Sequence, residues 1–316
     1  MCNTNNLIKI SSYFNDKEVC KKHLENLRWT DGVITCPHCS HSEKIYRTNQ
    51  GFKCSSCKKR FSVTKGTIFE NSPISLHKWF VAIWLLGSNK KGISSNQLAR
   101  DIGVTQKSAW YMLHRIRYVF ENESFDKPLE NIVEVDETYV GGLNKNRHWD
   151  KKVKRSQGRS TKDKTAVFGM LERGGKVRAM KVDSVSAKEL QRIIVDNIEV
   201  HSTIMSDEWG AYTGLDKKYH HYVVNHGRGN YAKAGGIHTN SIESFWSLLK
   251  RSYKGTYHYM SPKHLDKYVK EFEFRYNNSD EIKEIGIDSI LRKSNVRLTY
   301  KELTNKESKI TCDPLF

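Results

Sequence analysis

The sequence predicts an α/β protein in which a mixed-sheet domain follows a small cysteine-stapled ribbon and a helical module. Three observations predict it. Two Cys-x-x-Cys pairs stand near the start, two segments with helical apolar spacing follow them, and from residue 131 strand patterns alternate with helical ones. At 316 residues the chain is long enough for several domains, which the pattern sets at 1–66, 67–124 and 125–300 with a tail over 301–316.

The first element is "CPHCSHSEKIYRTNQGFKCSSCKKRFSV". Cys36 and Cys39 form one pair, fourteen residues intervene, and Cys54 and Cys57 form the other. Each pair makes one tight turn, so two facing turns offer four thiolates in a tetrahedron to Zn2+. The segments "KIYRT" and "GFKCSSCKKRFSV" alternate enough to be short strands, which gives a zinc ribbon. With four protein ligands the metal is structural, replacing a hydrophobic core too small to fold alone. Paired cysteines of this kind suit a reducing compartment, leaving Cys2, Cys20 and Cys312 as expected free thiols.

The second element comprises "SLHKWFVAIWLLGSNKKG" and "SSNQLARDIGVTQKSAWYMLHRIRYVF". Leu98, Ala99 and Ile102 precede a turn at Gly103, and Ala109, Met112, Leu113 and Ile116 recur at helical spacing after it. This predicts a helix-turn-helix, or otherwise a plain helical hairpin that only packs. Lys107, His114, Arg115 and Arg117 are its candidate phosphate contacts. "ENESFDKPLEN" reads as a polar linker.

The third element opens with "NIVEVDETYVGG", "KTAVFGMLER" and "KVRAMKV" as strands. The amphipathic helix "SAKELQRIIVDNI" and the short strand "STIMSD" come next, and β-β-β-α-β order indicates a mixed sheet. The basic loop "KNRHWDKKVKRSQGRSTKDK" between the first two strands is either a DNA contact or unstructured. Later, in "HTNSIESFWSLLKR", Ile242, Phe245, Trp246 and Leu249 share one stripe of a helix, and Asn240, Glu243, Ser247 and Lys250 gather on the flank beside it.

Charge narrows the class of partner. With 53 Lys and Arg against 35 Asp and Glu, the formal charge of +18 favours a polyanion, with nucleic acid as the leading candidate. The longest apolar run, Trp79 to Leu86, is too short to span a bilayer, and the first residues contain no continuous apolar stretch, so a cytoplasmic protein is expected. Asp136 lies inside an apolar strand and Asp207 ends another. A carboxylate there costs desolvation unless compensated, and a hard divalent cation is a natural partner.

Between Asp207 and Glu243 lie 35 residues. Two aspartates and a glutamate at such spacing resemble the RNase H-like transposases and integrases, whose carboxylates hold two Mg2+ ions. Moreover "LRWTDGVITCPHC", "VEVDETYVGG", "SDEWGAY", "HTNSIESFWSLLKR" and "YHYMSPKHLDKYVKEFEFRYNN" resemble the zinc-ribbon insertion-sequence transposases related to the Merlin elements, from about residue 14 to about residue 278. One departure stands out: relatives tend to carry "YNxR" where this chain reads "YNNSD", with Ser279 in place of a cation.

The resemblance implies an RNase H-like catalytic domain that binds Mg2+ or Mn2+ through Asp136 and Asp207. Its third member is an Asn or a Glu followed by a Lys, and the chain offers Asn240 and Glu243 with Lys250 after them. Glu243 is the preferred ligand because a carboxylate binds Mg2+ more strongly than an amide, leaving Asn240 to orient water or DNA. Lys250 and Arg251 would meet phosphates. The implied activity is a DNA transposase that cleaves element ends and transfers strands, acting on double-stranded DNA as a homo-oligomer in the cytoplasm, in association with the nucleoid. The alternatives are an RNase H-like nuclease without strand transfer and an inactive, transposase-derived DNA-binding protein. Tyr139 and Trp209 could stack on unpaired bases, Trp246 suits the core better, and His238 is a candidate assistant to catalysis.

Overall fold

The structure, a computed structural model, describes residues 6–121, 127–142, 144–146, 148–154, 162–224, 237–280 and 286–305. These divide into two compact units. The first draws on the ranges Met1–Asn89, Ile93–Asn122 and Asp280–Phe316, the second on Lys90–Gly92 and Glu123–Ser279.

The first unit begins with α1 (Leu7–Tyr13) and α2 (Lys17–Arg28), each opened by a side-chain cap, Asn6 on the Ile8 amide and Asp16 on the Glu18 amide. The ribbon follows as β1 (Ile45–Thr48), β2 (Gly51–Cys54) and β3 (Arg60–Phe61), an antiparallel sheet in the order β1-β2-β3. Then come α3 (Leu76–Ser88), α4 (Ser95–Ile102) and α5 (Gln106–Glu121). Gly103, in the left-handed region at φ 60°, ends α4 and gives the sharp turn that the sequence suggested. Thr105 accepts the Ser108 amide at the start of α5, so the two helices meet at a capped turn.

The expected boundary near residue 300 is corrected. The chain returns to the first unit after residue 280, adding α9 (Asp288–Arg292) and α10 (Tyr300–Thr304). Ile68 donates its amide to the Ser294 carbonyl at 3.1 Å, and His23 lies 2.7 Å from Asp288. Arg115 donates to the carbonyls of Ile68 at 2.8 Å and Leu298 at 3.1 Å. Arg115 and Arg117 therefore do not face phosphates as expected: both are buried, as is His114. The guanidinium of Arg115 satisfies carbonyls that the helix spacing could not reveal.

The second unit is a five-stranded sheet made of β4 (Ile132–Val140), β5 (Thr165–Glu172), β6 (Val177–Val182), β7 (Thr203–Ser206) and β8 (His220–Val223). Its order is β6-β5-β4-β7-β8; β4, β5 and β6 run antiparallel to one another in turn, while β7 and β8 continue parallel to β4. This is the RNase H-like mixed sheet that the resemblance implied. Helix α6 (Ala187–Asn197) supplies the crossover into β7, and α7 (Asn240–Ser252) and α8 (Leu265–Asn277) complete the unit.

Strand alternation explains the layering. Val133, Val135, Phe168 and Met170 face Leu190, Ile193 and Ile194 of α6. Val140, Val167, Leu171 and Ala179 face Ile242, Phe245, Trp246 and Leu249 of α7 and Val269 and Phe272 of α8. The outer edge of β6 is closed by side chains of α8. Asn277, Glu273 and Asp266 accept the alternate amides of Val177, Ala179 and Lys181 at 2.8, 2.8 and 3.0 Å. An edge that would otherwise template pairing is thus occupied.

Candidate active site

β4 carries three carboxylates in four residues, Glu134, Asp136 and Glu137. Period-two alternation puts Glu134 and Asp136 on the face that receives α7. Asp207 follows the last residue of the neighbouring parallel strand β7. One carboxylate oxygen each from Asp136, Glu137 and Asp207 lies within 4.8 Å of the others. The Asp136 carboxyl is pushed up to about 7, first by burial and then by the charges of Glu137, Asp207 and Glu243. Crowded hard oxygen donors with mutual repulsion fit a divalent cation, which would relieve the cost of holding them together.

Neighbouring groups hold these carboxylates in place. Tyr212, buried in the "SDEWGAY" segment, donates its hydroxyl to Glu137 Oε2 at 2.8 Å, and its own pKa rises through burial and that carboxylate. Asp207 Oδ1 accepts the Trp209 amide at 3.0 Å. Ser206 bonds His221 Nε2 at 2.8 Å, and burial lowers the His221 pKa.

Glu243, at the end of the first turn of α7, lies outside the 4.8 Å group but shares a cavity of about 350 Å³ with Asp136. Trp246, Ser247, Lys250, Arg251 and Lys254 line the rest of that cavity. Thr239 donates its hydroxyl to Glu243 Oε1 at 3.0 Å, orienting the carboxylate. The polar flank seen in the sequence is therefore the wall of a recess. Asn240, the exposed first residue of α7, is not among the lining residues; its amide donates to His238 Nδ1 at 3.4 Å. A second cavity, about 700 Å³, lies in the first unit beside α2 and the ribbon, where Glu18 and Glu25 are paired with Lys21 and Arg47.

The remaining sequence candidates divide. Lys107 is exposed at the start of α5, with its ammonium 5.7 Å from the Tyr300 ring. Trp209 is 42% exposed beside Asp207, whereas Tyr139 packs partly buried against the core and Trp246 is buried in it. Residues 155–161 of the basic loop, like Cys2 and Cys312, lie outside the described residues. Cys20 is buried and donates to the Phe14 carbonyl, and burial raises its thiol to about 11.

Sequence reading missed Glu134, Glu137 and Lys254. Glu137 carried the signal of a second carboxylate beside Asp136, and Glu134 that of an acidic residue two positions away on the same strand face. Lys254 carried none, because it lies beyond the α-helix in a π-helical turn, Tyr253–Tyr257.

At the ribbon, all four cysteine sulfurs lie within 4.8 Å of one another. Cys36 Sγ is 3.7 Å from Cys57 Sγ, and Cys39 Sγ is 3.7 Å from Cys54 Sγ. A tetrahedron with Zn–S bonds of about 2.3 Å has edges of about 3.8 Å, so the donor set fits zinc. The two knuckles repeat one geometry: Ser40 and Lys58, each following its pair, take positive φ of 57° and 59°. The His41 backbone amide lowers the Cys39 thiol to about 7, whereas burial raises that of Cys36 to about 11.

Comparison with known proteins gives this arrangement a relationship. Residues 128–277 match the ISXO2-like transposase domain, and residues 15–60 match the transposase zinc-ribbon domain. An uncharacterized protein in transposable element ISH50 from Halobacterium salinarum is 31% identical over 270 residues, covering 80% of this chain and 88% of that protein. An uncharacterized transposase-like protein of Haemophilus influenzae is 29% identical over 113 residues, covering 35% of this chain and 89% of that protein. Among solved structures, the Mos1 strand transfer complex aligns with 66% of this chain and 75% of its own at 13% identity and a TM-score of 0.29. The Mos1 mariner paired end complex with Mn aligns over 63% and 72% at 15% identity and the same TM-score of 0.29. On the sequence matches, which run through both the ribbon and the carboxylate-bearing unit, the chain belongs to the zinc-ribbon insertion-sequence transposases with an ISXO2-like domain.

Proposed function

We propose that the protein cleaves the ends of its element and joins them to target DNA by metal-dependent phosphoryl transfer. The observation that carries this reading is the meeting of Asp136, Glu137 and Asp207 beside a recess whose wall holds Glu243 and three cations. Asp136 and Asp207 hold Mg2+ or Mn2+, and Glu243 is the third ligand. Held there, a pair of such ions would supply Lewis acidity toward a water or 3'-hydroxyl nucleophile and toward the leaving oxygen. Lys250 and Arg251 neutralise the phosphates that flank the scissile bond. No serine or tyrosine need become covalently attached to DNA. Zn2+ in the four-cysteine cage keeps the ribbon folded, and Lys107, at the N-terminal end of the second helix of the pair, contacts the element end. Pairing two ends calls for two or more copies of the chain, acting on DNA in the nucleoid.

The test uses labelled DNA carrying the element ends, supplied with Mg2+ or Mn2+, and compares wild type with Asp136→Ala, Glu243→Ala and Asn240→Ala, each checked for folding and DNA binding. Wild type is expected to cut and join, and the first two variants to lose at least about a thousandfold in rate. Loss in Asn240→Ala alone would move the third role to Asn240. Tight binding with no cutting under either metal would leave a DNA-binding protein without catalysis.

A further inference from the structure

Beneath the N-terminus of α7 lies a carboxylate that the proposed chemistry does not use. Glu134 is fully buried on β4, two residues before Asp136. Its Oε2 accepts the amides of Ser241 at 2.8 Å and Ile242 at 3.0 Å, two of the groups that a helix start leaves without an internal partner. Its Oε1 accepts Arg173 Nε at 2.6 Å. Arg173 in turn donates through Nη2 to the His238 carbonyl at 2.6 Å and to His238 Nδ1 at 2.9 Å. The Asn240 amide approaches the same ring nitrogen at 3.4 Å. With two donors converging on it, Nδ1 accepts, and its 3.3 Å approach to Glu134 Oε1 is a contact rather than a bond.

A local cap would have been simpler. Thr239 occupies the N-cap position but gives no side-chain cap, its hydroxyl being turned to Glu243. A local cap stabilises a helix without fixing where the helix lies, whereas a cap reaching up from β4 ties the helix to that strand. A second contact acts in the same sense. Gly169 pairs directly with Asp136 across β4 and β5, and a Cβ there would stand 2.5 Å from Trp246 Cζ2 and 3.1 Å from Ile242 Cδ1. The bare backbone lets α7 press onto the sheet beside the aspartate. Glu243 lies between these two anchors.

We propose that Glu134 and Arg173 are a positioning pair: they fix the start of α7 on β4 so that Glu243 is held toward Asp136. The proposal rests on the reading that these two carboxylates, Glu243 and Asp136, act together. It assigns a buried ion pair a geometric task, which gives a reason for keeping charges where apolar side chains would be as stable.

The experiment uses the full-length, zinc-loaded protein carrying 5-fluorotryptophan, with the Trp246 resonance assigned through Trp246→Phe. Glu134→Ala, Glu134→Gln and Arg173→Lys are compared with wild type. The readouts are the 19F spectrum, Mn2+ titration followed by electron paramagnetic resonance, and kcat and KM for joining pre-cleaved ends. For Glu134→Ala the expectation is a shifted or broadened Trp246 signal, Mn2+ affinity about tenfold weaker and kcat down by roughly a hundredfold with KM little changed. Glu134→Gln, which keeps one acceptor for the helix amides, should fall between it and wild type. An unmoved Trp246 signal with wild-type Mn2+ affinity and kcat in the folded variants overturns the proposal. Should Glu134→Ala fail to fold, Glu134→Gln and Arg173→Lys decide the matter by the same readouts. If Asp136→Ala binds Mn2+ as wild type does, the underlying reading of the site fails instead. The Trp246 signal then decides by itself whether the pair seats the helix.

Discussion

Asp136 is the residue on which the electrostatics of the site turn, and its sign is testable. Its carboxyl is raised from 3.8 to about 7 by burial and by its acidic neighbours. Without a divalent metal, the folded state keeps a proton that the unfolded chain releases. Stability therefore falls as pH rises from about 4 to about 7 and flattens above that. Asp136→Asn cannot ionise, so at pH 8 in buffer free of Mg2+ and Mn2+ it should be more stable than wild type by about 4 kcal/mol, with little difference near pH 4. Added Mn2+ should close the gap by stabilising wild type alone. Thermal unfolding at both pH values checks this, and parallel pH slopes for the two proteins would rule it out. At this scale the sequence was informative where chemistry constrains spacing. Asp136, Asp207 and the four cysteines could be picked out because ligands need fixed residue types. Glu134 showed only as another acidic residue on the face of β4, and its bonds to Arg173 and to the start of α7 emerge only once β4 and α7 are packed together.

At the scale of elements, α5 shows why periodicity predicts a helix better than it predicts the partners of that helix. Its apolar spacing located the helix and the Gly103 turn, yet Lys107, Arg115 and Arg117 looked alike in sequence. Only Lys107 lies in the exposed opening of the helix, whereas both arginines are buried. The variants should separate accordingly. Lys107→Ala should weaken binding to element-end DNA and lower the salt slope by about 1, with the melting temperature unchanged. Arg115→Ala should destabilise by about 2 kcal/mol or more, since the Ile68 carbonyl loses its guanidinium donor and the Leu298 carbonyl keeps only the Tyr111 hydroxyl, while the DNA-binding salt slope of the folded fraction stays the same. Fluorescence titration over a salt series, with calorimetry beside it, distinguishes the two. Equal losses of binding from both would restore Arg115 as a phosphate contact. Strand β8 was missed for a related reason: "HHYV" has no apolar alternation, and its pairing with β7 supplies what its sequence lacks.

At the scale of the molecule, no pattern in the residues signals that the chain leaves the first unit and comes back to it. Helices α9 and α10 are short and weakly patterned, and the returning segment is held by Arg115, Ile68 and His23, far away in sequence. A chain ending at Ser279 should keep the sheet and lose order in the first unit. Hydrogen exchange should show amides of α3 and α5 at least about tenfold less protected, while those of β4 and β5 stay as in the full chain. Unchanged protection in α5 would refute it. The returning segment also sets a timetable for synthesis. At about 5–20 residues per second, Arg115 leaves the ribosome roughly ten to forty seconds before Leu298 does. Until Leu298 emerges, Arg115 has the Ile68 carbonyl but not its other acceptor, so the unit that carries Lys107 is closed only after the strands of the sheet have all been made.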